Sequence, residues 1–69
     1  MNTLKTEVLN IFYKQFVKAI TECWKEGREL KIIKETPTEI NSVDIEVSAK
    51  NPVDFYHLGR KFGQYKSEV

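Results

Sequence analysis

The stretch from Val43 to Asp54 constrains this chain most. Val43-Asp44-Ile45-Glu46-Val47-Ser48-Ala49-Lys50 alternates apolar and polar residues without a break. Successive side chains of a strand point to opposite faces, so this alternation builds one apolar face and one wet face. Asn51-Pro52-Val53-Asp54 follows at once. Asn at a helix N-cap accepts from an orphan backbone N–H, and Pro fits the first helical position, where no N–H is needed. Asp54 adds negative charge near the positive end of the helix dipole. The junction predicts a strand followed by a helix at the C-terminal end of the chain.

The N-terminal part reads as one long helix over about residues 3–26. Leu4, Val8, Ile11, Phe12, Ala19, Ile20 and Cys23 recur at spacings of three and four, the signature of an amphipathic helix. Thr3 can cap its start, and Gly27 stands where a left-handed C-terminal cap belongs. A second apolar row, Leu9, Tyr13, Phe16, Val17, Ile20 and Trp24, runs beside the first. Asn10, Lys14, Lys18, Glu22, Lys25 and Glu26 mark the wet side. Two strands follow, over about residues 30–35 and 43–49, separated by the Pro37 break and the Glu39-Ile40-Asn41-Ser42 connection. Val43, Ile45, Val47 and Ala49 face inward with Leu30 and Ile32, which leaves Ile33 outside. A last helix covers about residues 52–66, with Phe55, Leu58, Gly59, Phe62 and Tyr65 as its apolar stripe.

The expected fold class is therefore α+β, a small α-β-β-α single domain over residues 1–69. A two-stranded antiparallel hairpin is packed on one face by a long N-terminal helix and a C-terminal helix. At 69 residues the chain buries only about 60% of its unfolded surface, so its stability margin is thin. One Cys and one His supply neither an internal disulfide nor a four-ligand zinc site. No cofactor or metal is expected. A formal charge of +1 gives no basic field for general nucleic-acid binding and little repulsion against self-association. The most apolar window, Val8 to Ile20, is too short and too polar to span a bilayer. The unpaired Cys23 and the lack of an export signal point to the cytoplasm.

No constellation reads as catalytic. Asp54, His57 and Arg60 lie three apart on the last helix and could mimic an oriented base, but no nucleophile stands near them in sequence. Cys23 sits on the main apolar row, which suits an inert buried thiol. Gly59 and Gly63, four apart, read as clearance for the first helix and as the start of helix termination.

Two surfaces remain. Leu9, Tyr13, Phe16, Val17, Trp24, Ile33 and Ile40 are apolar residues with no evident place in a two-layer core. They read as an interface for a second copy or a larger protein partner. Tyr56, His57, Arg60, Lys61 and Lys66 interleave basic and aromatic groups, which can hold phosphates and stack bases. The leading expectation is a small non-catalytic, homodimeric protein–protein interaction module. The alternative is a nucleic-acid-binding accessory protein that uses the C-terminal helix.

Overall fold

The computed structural model describes residues 2–68 and is α+β. The order is β1 (Asn2–Leu9), a single 3-10 turn (Asn10–Phe12), α1 (Tyr13–Lys25), β2 (Leu30–Pro37), β3 (Ser42–Ala49) and α2 (Val53–Lys66). Three strands form one antiparallel sheet in the order β1-β3-β2. The two-stranded hairpin and the N-terminal helix over 3–26 are thus corrected: residues 2–9 are a strand, and the helix is the 13 residues of α1.

The reason lies in an ambiguity of spacing. Leu4 and Val8 share a helix face, because four residues are about one turn, and they share a strand face, because four is even. Thr3, Thr6 and Val8 are β-branched and favour the strand. Tertiary pairing decides the matter. Leu4 stands opposite Val47, Thr6 opposite Ile45 and Val8 opposite Val43. β3 thereby gains a neighbour on each side and becomes the most buried strand of the sheet.

Register sorts the sheet into two faces. Val8, Leu30, Ile45, Val47 and Ala49 are buried and share one face with Leu4, Thr6 and Ile32. α1 covers this face with Phe16, Ala19, Ile20 and Cys23, and α2 adds Leu58. Phe16 and Phe62 meet edge to face with centroids 5.1 Å apart, which locks the two helices. The other face is polar: Thr3, Lys5, Glu7, Asp44 and Glu46 alternate with the buried set along β1 and β3. A register shift between Ile32 and Lys34 places Ile33 at a bulge in β2.

The connections follow from local chemistry. α1 ends in a Schellman cap: Gly27 N–H donates to the Trp24 carbonyl and Arg28 N–H to the Cys23 carbonyl, with Gly27 at φ +81°. The β2–β3 turn uses Asn41 at φ 59°, a conformation Asn tolerates better than most residues. α2 starts at Val53, and Asn51 contributes its carbonyl to the Asp54 N–H rather than a side-chain cap. Asp54 is buried and faces Arg28, Oδ1 to Nη1 3.6 Å.

Candidate interaction surface

The seven apolar residues expected at an interface separate into three environments. Phe16 is corrected: it is 2% exposed and belongs to the core, because it stands three and four residues before Ala19 and Ile20 and shares their face of α1. Tyr13, Val17 and Trp24 form a row along α1 that runs beside β2. Its ends are fixed by two hydrogen bonds. The Tyr13 hydroxyl donates to Glu35 Oε1 at 2.5 Å, and the Trp24 indole N–H donates to the Leu30 carbonyl at 2.5 Å. Ile33, on the bulge, lies between those two anchors in the β2 sequence. Val17 is 37% exposed, Ile33 45% and Trp24 50%, so this flank presents apolar surface to solvent.

Leu9 and Ile40 lie at the other end of the hairpin. Leu9 closes β1 opposite Ser42, and the next residue, Asn10, donates its N–H to the Asn41 carbonyl. Both Leu9 and Ile40 are exposed, as is Ile11. Leu4, on the apolar face of β1, is a further exposed residue. Its spacing in the sequence fits the core row of a helix, and strand pairing makes it edge surface.

The basic and aromatic residues of α2 are drawn in different directions. Lys61 donates to Glu26 Oε2 at 2.7 Å and is largely covered. The same carboxylate lies 3.4 Å from Arg28 Nε, so the end of α1 is tied to α2 through Glu26. The Lys61 hydrogen bond holds Glu26 below its ordinary value of 4.5, and the bond raises Lys61 above 10.5. Lys66 lies over the rings of Phe62 and Phe12, at 4.9 and 5.6 Å. Tyr56 and Arg60 point outward, and His57 stands edge-on to Tyr56 with a buried Nδ1 that has no hydrogen-bond partner. Two cations of the five-residue set are thus engaged within the fold rather than spread along a groove.

The groups singled out as catalytic candidates take other places. Asp54 turns to Arg28, and among the described residues no hydrogen bond orients the His57 ring from Nδ1. Cys23 is buried, and that burial pushes its thiol above the ordinary value of 9.0. Among the described residues no group of three His, Cys, Asp or Glu side chains is placed to hold a metal, and no helix is long and apolar enough to cross a membrane. Gly59 is also corrected. A Cβ there meets nothing within 4 Å, so it makes no room for α1, and Gly63 lies in the last turn of α2.

Compared with protein-family models, curated proteins and solved structures, the chain finds no match.

Proposed function

We propose that this chain is a non-catalytic protein–protein interaction module that associates with a second copy of itself. One observation carries this reading: a small two-layer domain leaves Trp24, Val17 and Ile33 exposed along one flank, and both outer strands of its sheet lack a neighbour among the described residues. Scattered apolar residues are normal on any surface. A row of them along one flank of so small a domain is different, and an outer strand adds unpaired N–H and C=O groups that recruit another strand. The near-zero net charge does little to oppose the encounter. Sedimentation equilibrium of the full chain at micromolar concentrations tests the reading. A concentration-dependent dimer supports it. An ideal monomer throughout that range refutes it.

A further inference from the structure

The two outer strands are not equivalent. β2 is blunted as an edge. It carries a bulge after Ile32, and its last residue, Pro37, has no N–H. At its start the Leu30 N–H donates to the Arg28 carbonyl and the Leu30 carbonyl accepts from Trp24. These are the devices that discourage strand addition. β1 has none of them. It pairs with β3 over eight consecutive residues without a register shift, and Asn2-Thr3-Leu4-Lys5-Thr6-Glu7-Val8-Leu9 contains neither Pro nor Gly. Among the described residues, no turn, loop or cap hydrogen bond engages the backbone of Thr3–Val8, and the Leu9 carbonyl is the first to turn away from the strand, into the 3-10 turn that follows.

The geometry points to a second copy of this chain docked along β1, antiparallel about a two-fold axis at Thr6, so that two three-stranded sheets become one six-stranded sheet. This rests on the self-association reading above and places the contact at the β1 edge, across the sheet from the apolar row beside β2.

Symmetry and charge together select the register. In an antiparallel pair, directly opposed side chains lie on the same face. Two copies of one edge related by a two-fold must keep their helix-covered faces level, so each residue opposes one of the same parity. Few registers then remain. Centring on Lys5 sets Lys5 against Lys5 of the second copy, and centring on Glu7 sets carboxylate against carboxylate. Like charges directly opposite are unfavourable. Centring on Leu4 leaves only a short overlap.

Centring on Thr6 satisfies both faces. Lys5 opposes Glu7 twice on the polar face, and Leu4 opposes Val8 twice on the helix-covered face. The groups are available for it. The Lys5 side chain is 85% exposed, with only a 3.9 Å contact to Glu46. Glu7 holds Ser42 through Oε2 and has no cationic partner among the described residues. Leu4 is the exposed apolar residue that β1 contributes to the helix-covered face, and the second copy supplies its missing neighbour.

A charge-swap pair tests this on the full chain, by sedimentation of K5E, of E7K and of their mixture. Each variant alone sets like charges opposite at two sites, and dimerisation weakens about tenfold or more. The mixture restores opposite charges at both sites, so a heterodimer forms with close to the original affinity. Melting curves of the separate variants confirm that both remain folded. Thr6→Cys adds a geometric check. Its thiols fall opposite each other across the axis and oxidise to a covalent dimer, whereas Ile33→Cys does not. A dimer that ignores both charge reversals and yields no Thr6→Cys cross-link overturns the β1 assignment while leaving self-association in place. A monomeric parent chain overturns both.

Discussion

Replacing Gly59 by Ala should stabilise this protein. Gly59 lies inside α2, is exposed, and has open space where a Cβ would go. Nothing is therefore lost by steric conflict, and the whole difference in helix propensity is realised. That difference is about 0.8–1.0 kcal/mol in favour of Ala, chiefly because Gly surrenders more backbone freedom on folding. For a domain of this size 1 kcal/mol corresponds to a melting shift of about 4–8 °C. Gly63 has the same open surroundings but sits in the last turns of α2, where fraying dilutes the gain to roughly half. The double variant should gain about 1.5 kcal/mol. Thermal unfolding followed by circular dichroism, at one low and one high protein concentration, measures this. If Gly59→Ala leaves the midpoint unchanged or lowers it, the face is not open and the reasoning fails. A loss confined to high concentration would put another backbone against the glycines.

Further outcomes follow from the same physical chemistry. Gly27→Ala should lose roughly 1–2 kcal/mol, because the Schellman cap holds that residue at φ +81°, and chemical denaturation reads the loss. Leu30→Ala empties a fully buried site where β2 meets α1, and the expected loss of about 2–5 kcal/mol is a large share of a small domain's stability. The Glu26–Lys61 contact contributes at both ends of the pH range. Glu26 is depressed in the folded state, so its contribution is present above 4.5 and fades as pH falls through the folded value; Lys61 is raised, so its contribution is present below 10.5 and fades as pH climbs through the folded value. Glu26→Gln should flatten both limbs of a stability–pH curve, and unaltered limbs would count against the pair. The hydrogen bond to Glu35 holds the Tyr13 phenol above its ordinary 10.0. Glu35→Gln should lower that midpoint in a tyrosinate absorbance titration.

The legible parts of the fold are those where one periodicity alone fits. Val43 to Lys50 alternates over eight positions, which no helical spacing imitates, and β3 lies there. Thr3 to Val8 offers only two strongly apolar residues, four apart, a distance that serves a helix and a strand equally. Pairing with β3, which follows much later in the chain, breaks the tie. No local rule contains that information. Helical spacing from Leu4 onward puts Leu4 in a core row, whereas strand pairing makes it an edge; Phe16 fits a second row by spacing alone, whereas packing on the sheet makes it core. Trp24, Val17 and Ile33 kept their exposed character, because they lie in α1 and β2, whose helical and extended character was read correctly. The bulge at Ile33 has no glycine to announce it.

The central position of β3 has a consequence for synthesis. β1 leaves the ribosome first, yet Asn2 pairs with Ala49 and Leu9 with Ser42. Its backbone has no intramolecular partner until nearly all the strand residues have been translated. Until β3 is available, β1 is a bare, bulge-free strand, and its order depends on a segment more than thirty residues away.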